Sequence, residues 1–200
     1  MIEINKNYSR QENFTLDLLR EKTNGYYVEL GAFHSKECSN TYYLENNYNW
    51  SGVSFEVMED RLREFKANRK NPCYGDALTF DYRKYFEENN FPKQIDFLQV
   101  DIDNGGNEYN STYAGLRALI ALPLNVYRFN IITFEHDTNM YFKNSTIRDI
   151  QREILDSLGY ILVVRDVHED WWVDGTKFDI NDYRKYMSKE YQMALMAYYQ

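Results

Sequence analysis

The sequence predicts a doubly wound α/β domain: a mostly parallel central sheet, helices on both faces and a C-terminal antiparallel hairpin. Three observations carry that reading. Short strand segments alternate with amphipathic segments of about 10 to 15 residues, the signature of βαβ units. Runs such as 53–56 and 131–134 are short and largely apolar, as strands covered on both faces must be. Residues 160–167 and 171–174 read as a terminal antiparallel pair.

The elements follow in order. A first helix over 13–21 places Phe14, Leu18 and Leu19 on one face. Asn24 and Gly25 turn the chain into a strand over 26–30. A helix over 39–47 leads to a strand over 52–56, and a helix over 59–69 pairs Leu62 with Phe65 beneath a charged outer face. A short strand ends near Asp76, a helix covers 82–89, and the next strand runs over 95–100 to Asp101. The helix over 109–121 carries Tyr113, Leu116, Leu119 and Ile120 as its apolar stripe. The fifth strand, 130–134, closes on Glu135, His136 and Asp137. The helix over 146–158 is the clearest, with Thr146 and Asp149 disposed as a capping box and Gly159 placed to end it. After the hairpin comes an amphipathic helix over 181–188. With three prolines, nine glycines, no repeats and no low-complexity linker, the chain reads as a single domain over 1–200. It divides into an N-terminal helical segment (1–24), a core (25–175) and a C-terminal helical tail (176–200).

Composition narrows the function. A net charge of −8 without a basic run argues against a nucleic-acid partner, since phosphate binding depends on Lys and Arg. No stretch approaches the roughly 18 apolar residues of a membrane span, and residues 1–10 lack a signal-peptide core. Cys38 and Cys73 have no metal-ligand spacing and make no disulfide framework, which points to a reducing, cytoplasmic setting.

Ligands of open α/β sheets bind beyond the carboxyl ends of the strands. Five such ends in succession carry an acid, at Glu29, Glu56, Asp76, Asp101 with Asp103, and Glu135 with Asp137, where about one residue in six is acidic overall. Gly31 permits a tight turn and close approach of a ligand; Ser39, Asn40 and Thr41 supply donors and a helix cap. A dinucleotide loop wants G-x-G-x-x-G, and only one of those glycines is present, which disfavours a nicotinamide oxidoreductase. Glu29 suits a ligand with an ammonium or sulfonium group, Glu56 two ribose hydroxyls, and Asp76 the amino group of adenine with the Ala77 N–H beside it. Taken singly, each acid could equally cap a helix and Gly31 could be a turn glycine.

The segments Asn24-Gly25-Tyr26-Tyr27-Val28-Glu29-Leu30-Gly31-Ala32, Ser39-Asn40-Thr41, Trp50-Ser51-Gly52-Val53-Ser54-Phe55-Glu56 and Asp96-Phe97-Leu98-Gln99-Val100-Asp101-Ile102-Asp103 together resemble the FkbM-like branch of the S-adenosylmethionine-dependent methyltransferases. The stretches 132–137 and 169–174 are similar to a subgroup of it, and the likeness spans about residues 9–175. It implies a Rossmann-like class I methyltransferase fold, S-adenosylmethionine as cofactor, and methyl transfer to a hydroxyl, commonly of a sugar; a deoxysugar of the rhamnose kind is one such acceptor. Glu29, Gly31 and Ala32 match the cofactor loop, Glu56 the ribose acid and Asp76 the adenine-side acid. The chain departs from the family at Phe33-His34, where an acid and a glycine are frequent, and at Asp101-Ile102-Asp103-Asn104, in place of Asp-x-Glu-Gly.

Methyl transfer to an alcohol needs the acceptor oxygen in line with the methyl group and a place for its proton. His136 is read as the general base, assisted by Asp101 and Glu135, against the plain alternative of a structural histidine. The same acids, Asp101, Asp103 and Glu135, could instead hold Mg²⁺ or, with a histidine near, Mn²⁺. Asp103, Trp171, Trp172 and His34 are read as acceptor-side residues, one tryptophan stacking on a sugar face, while a tryptophan sealing the sheet is the structural alternative; strand alternation sends one inward and the other outward. His168 reads as a turn residue, and Arg148 and Arg152 as a solvated helix face. The partner expected is a saccharide or glycan acceptor. A short chain of this kind would dimerise or serve as a module of a larger glycan-building protein. The competing functions are a small-molecule or lipid methyltransferase and a non-catalytic interaction module that keeps the fold.

Overall fold

A computed structural model describes residues 8–102, 113–136 and 146–188. Its strands are β1 (Tyr26–Leu30), β2 (Ser51–Phe55), β3 (Cys73–Tyr74), β4 (Gln94–Val100), β5 (Arg128–Glu135), β6 (Tyr160–Arg165) and β7 (Glu169–Asp174). The helices are α1 (Arg10–Leu18), α2 (Tyr42–Tyr48), α3 (Glu59–Asn68), α4 (Tyr82–Glu88), α5 (Ala114–Ala121), α6 (Thr146–Ser157) and α7 (Ile180–Tyr183), the last continued by a 3₁₀ turn over Arg184–Met187. They form one seven-stranded sheet of order β3-β2-β1-β4-β5-β7-β6. Strands β3 through β5 are parallel, and β7 lies antiparallel between β5 and β6. The hairpin therefore does not simply extend the sheet: its second strand slots inside its first.

Both faces are covered. Phe14 of α1, Leu44 of α2 and Tyr183 of α7 pack on one side with Tyr27, Phe97, Ile131 and Trp171. Phe86 of α4, Leu119 of α5 and Leu155 of α6 pack on the other with Val28, Leu98, Ile132 and Trp172. Most predicted elements stand within two or three residues of their places. The first helix starts earlier, at Arg10, because Ser9 and Glu12 form a reciprocal capping box. The second starts later, at Tyr42, while the Ser39 hydroxyl accepts from the Thr41 and Tyr42 N–H groups at 3.2 and 3.1 Å. Gly159 ends α6 in the left-handed region, at φ +80°. Residues 109–112, expected to open the fifth helix, lie outside the described residues.

Strand register puts two polar rows across the α1 side of the sheet. Ser54, Glu29, Gln99, Thr133 and Trp171 are consecutive cross-strand neighbours, all at most 1% exposed. Two residues further toward the carboxyl edge, that face carries Glu56, Gly31, Asp101, Glu135 and Glu169. The lower row is bound together: the Thr133 hydroxyl donates to the Gln99 side-chain oxygen, and Ser54 donates to Glu29 at 2.7 Å. The upper row forms the floor of the site.

Candidate functional site

A cleft of about 640 Å³ opens at the ends of β1 to β4. Glu29, Gly31, Ala32, Glu56, Asp76 and Asp101 all line it, joined by Asn40 and Ala77. The expected cofactor residues are thus brought together, with two exceptions. Ser39 and Thr41 do not line the cleft; they stand behind it.

Gly31 is indispensable to the geometry. Its φ is +84°, and a Cβ built there would meet the Asp101 carbonyl oxygen at 1.7 Å. The N–H groups of Gly31 and Ala32 both donate to the Phe55 carbonyl at 3.0 Å, and the Asp101 N–H donates to Leu30 at 2.8 Å. Three strand ends therefore meet backbone to backbone, which only glycine allows. Phe33, two residues on, sits at φ +49°, a conformation costly for a bulky residue. The Glu56 carboxylate steadies it by accepting the Phe33 N–H at 2.9 Å and the Met58 N–H at 2.8 Å. Asp76 likewise accepts from the Leu78 N–H and the Thr79 hydroxyl. Each of these carboxylate oxygens keeps a lone-pair direction for a ligand hydroxyl or amine.

Behind the cleft lies a buried polar hub that sequence reasoning missed. Arg69, wholly enclosed, pairs with Glu45 at 2.9 Å and donates to the Ser35 carbonyl, the Tyr27 hydroxyl and Thr41. Thr41 in turn donates to Glu29 at 2.9 Å. Burial raises the Glu29 carboxyl above its ordinary range, opposed by the charge of Arg69 and the hydroxyls of Ser54 and Thr41. Glu29 thus serves the loop after β1 from within the protein while one flank meets the cleft. The helix pattern over 59–69 marks Arg69 only as the end of a charged face, and nothing local shows that these distant groups converge on it.

His34 is displaced from the role read for it. Its Nδ1 lies 3.3 Å from Glu64 and its ring stands edge-on to Phe33, so it faces α3 and lines neither cavity. Glu64 holds the same loop by accepting from the Ser35 N–H and hydroxyl at 2.9 and 2.7 Å. Those bonds, with Arg61, lower its carboxyl to about 2.

A second cavity, about 340 Å³, adjoins the first and shares Cys38, Asn40 and Asp101 with it. Its other walls are Glu135 and Glu169 from the upper polar row, His168 from the β6–β7 turn, and Ser9, Arg10 and Gln11 from the start of α1. Arg10 donates to Asp166 at 3.2 Å and to Glu169 at 2.9 Å, and Gln11 donates to both oxygens of Glu169. Glu12 then ties α1 to α2 by accepting the Tyr43 N–H at 2.8 Å, and burial raises its carboxyl to about 7.

Several expectations change here. Trp171 and Trp172 do point to opposite faces, but both faces are covered, and the two are 0% and 2% exposed. Trp171 packs on Phe14, 4.9 Å between centroids, and neither offers a surface to a sugar. His136 is buried and lines neither cavity. Its Nε2 lies 3.8 Å from Asp170, which Arg152 grips through two bonds of 2.7 Å. Arg152 is accordingly a structural partner, not part of a solvated face. Burial favours protonation of Asp170, yet Arg152 and His136 outweigh it and hold the carboxyl below its ordinary range. Asp103 and Asp137 lie outside the described residues. Among the described residues no group of three or more His, Cys, Asp or Glu side chains is disposed to hold a metal, and no helix is long and apolar enough to cross a membrane.

The comparisons agree with this architecture. The chain is similar to a human methyltransferase 10 domain containing protein, with 12% identity over 84% of this chain and 80% of that one, at a TM-score of 0.54. It is similar to an O-methyltransferase from Bacillus cereus in complex with SAH, with 14% identity over 86% and 83% and a TM-score of 0.52. A third likeness is the delta-N METTL16 MTase domain, 13% identical over 81% and 79%, TM-score 0.50. At such identities the likeness is one of fold, the class I methyltransferase fold. No curated protein matches the sequence. The family described as the methyltransferase FkbM domain matches residues 2–162, and the chain belongs to that family.

Proposed function

We propose that this methyltransferase uses S-adenosylmethionine to methylate a hydroxyl group of a saccharide. One observation carries the reading: a cleft with acids at four successive strand ends adjoins a smaller polar cavity, the two sharing Cys38, Asn40 and Asp101. The first suits an adenosyl compound with a charged tail, and its volume falls in the usual range for small-molecule sites. Glu56 would hold the ribose hydroxyls, Asp76 and the Ala77 N–H the adenine edge, and Gly31, Ala32 and Asn40 the amino-acid tail. When bound, the cofactor supplies an electrophilic methyl group on a sulfonium.

The chain's own contribution is placement and proton handling. Of the bases that line the smaller cavity, Asp101 alone among the described residues also lines the cofactor cleft, so it stands where a bound methyl group and an acceptor hydroxyl would meet. Glu135 follows Phe134, the register partner of Val100, and stands beside Asp101. Asp101 therefore replaces His136 as the proposed proton acceptor, with Glu135 orienting the hydroxyl. His136 braces the floor through Asp170. Hydroxyl-rich rings suit the second cavity because carboxylates accept what hydroxyls donate.

Calorimetry with S-adenosylmethionine and S-adenosylhomocysteine tests the cofactor, with micromolar binding expected. A radiolabelled methyl-transfer assay on methyl glycosides tests the acceptor, and Asp101→Asn should lower kcat at least 100-fold. Absence of binding for either adenosyl compound overturns the reading; transfer to lipid or phenolic hydroxyls but to no glycoside overturns its saccharide part.

A further inference from the structure

The smaller cavity has a charge balance that says which acceptors enter. Three of its walls are carboxylates: Asp101 at the junction, and Glu135 and Glu169, which are directly opposed across the β5–β7 pair. Among the described residues its one Lys or Arg is Arg10, and that guanidinium is already engaged by Glu169 and by Asp166 just outside. Side-chain exposures of 9% for Arg10 and 4% for Glu169 make this a held pair, in surroundings where water screens little. His168 and Cys38 are the further titratable wall residues among those described. Gln11 completes the clamp with both of its bonds on Glu169, leaving its side-chain oxygen as a neutral acceptor. Among these described walls an anion would lose hydration against three carboxylates and meet a guanidinium already engaged.

We propose that the clamp of Arg10 and Gln11 on Glu169 makes this cavity select neutral or cationic hydroxylated acceptors and reject anionic ones such as uronates and sugar phosphates. The acceptor role rests on the function proposed above, but the charge selection is a property of the cavity and is measurable without turnover. Glu169 acts here as a specificity-determining residue. It holds α1 and keeps Arg10 from serving as an anion site.

Cys38 supplies the probe, because its exposed thiol borders both cavities. Cys73 is replaced by serine, and the cofactor cleft is saturated with S-adenosylhomocysteine so that reagents do not arrive through it. Cys38 is then modified with a trimethylammonium-bearing and a sulfonate-bearing methanethiosulfonate, each rate divided by its rate with free 2-mercaptoethanol. The cationic reagent is expected to be favoured at least tenfold. Glu169→Gln should cut that preference at least threefold, and Arg10→Gln should enlarge it. S-adenosylhomocysteine affinity within twofold of the parent shows that each variant is folded; should Glu169→Gln not fold, Arg10→Gln decides. A normalised ratio near one, or preference for the sulfonate, overturns the charge selection even if the cofactor binds. In the transfer assay, methyl glucuronide should react at under a tenth of the rate of methyl rhamnoside or methyl glucosaminide, and equal rates also overturn it. Failure of S-adenosylhomocysteine to bind counts against the proposed function instead, and the reagent ratio without it still tests the cavity.

Discussion

The two cavities share a wall yet are built in different ways. The cofactor cleft is made by residues that directly follow strands, Gly31 after β1, Glu56 after β2 and Asp101 after β4, and each is steadied largely by backbone N–H groups. The smaller cavity draws on α1, the loop before α2, the ends of β4 and β5, and the β6–β7 turn. Its main clamp joins residues more than 150 positions apart in the chain. Glu169 also lies beyond residues 2–162, the stretch that carries the family pattern. The contrast teaches that the cleft is built from local, strand-end sequence, whereas the smaller cavity is assembled from distant parts.

Substitutions can break or sharpen this contrast. The largest effect belongs to the junction itself: Gly31→Ala forces a Cβ onto the Asp101 carbonyl and should cost more than about 4 kcal/mol. Chemical denaturation should show a protein largely unfolded or lacking S-adenosylhomocysteine binding; a folded, binding variant would mean that β1 and β4 can part without harm. Next come the two hubs. Arg69→Ala strands Glu45 in the interior and should cost about 3–5 kcal/mol. Arg152→Ala, whose side chain is 28% exposed, admits water to Asp170 and should cost about 1–3 kcal/mol. Urea midpoints in the reverse order would contradict the greater enclosure of the cofactor side.

Glu56→Ala comes third. Loss of a charge-assisted acceptor is worth about 1.5–3 kcal/mol, so the Kd for S-adenosylhomocysteine should rise roughly 10- to 100-fold by calorimetry, with the melting temperature within a few degrees. Smallest are the pH effects, and they have opposite signs on the two sides. Glu12, raised by burial from 4.5 to about 7, contributes stability that is fully present below 4.5 and lost as pH rises through 7. Glu64, lowered from 4.5 to about 2 by Ser35 and Arg61, contributes stability present above 4.5 and lost as pH falls through 2. Relative to the parent, Glu12→Gln should therefore gain stability between pH 5 and 8, and Glu64→Gln should be the less stable at pH 5 but nearly equal at pH 2. Parallel curves for parent and variant would remove the corresponding pin.

What could be read beforehand follows the same division. The alternation of strands and helices, the acids at strand ends and Gly31 are local facts, and the structure puts them where the pattern did. The exposed-looking aromatic and charged residues of the C-terminal third were misjudged for one reason: period-two alternation says which faces Trp171 and Trp172 take, but not that α1 and α6 cover both. Similarly, the i,i+4 spacing of Arg148 and Arg152 is that of a surface, and only the arrival of β7 beneath α6 gives Arg152 its partner. Arg10, Gln11 and Glu169 carry no motif at all. Their signal is one of tertiary proximity, with Ser9 and Glu12 as the single local hint that α1 begins early enough to reach the site.

The placing of β7 inside β6 bears on how the protein is made. During synthesis β5 and β6 emerge before the strand that separates them, so the β5 edge stays open until Asp174 has left the ribosome. An uncovered edge of eight residues, with two Ile and two Phe, is a template for pairing with a neighbouring nascent chain. Late arrival of β7 thus makes the interval between β5 and Asp174 the stretch of synthesis in which this edge is open to mispairing.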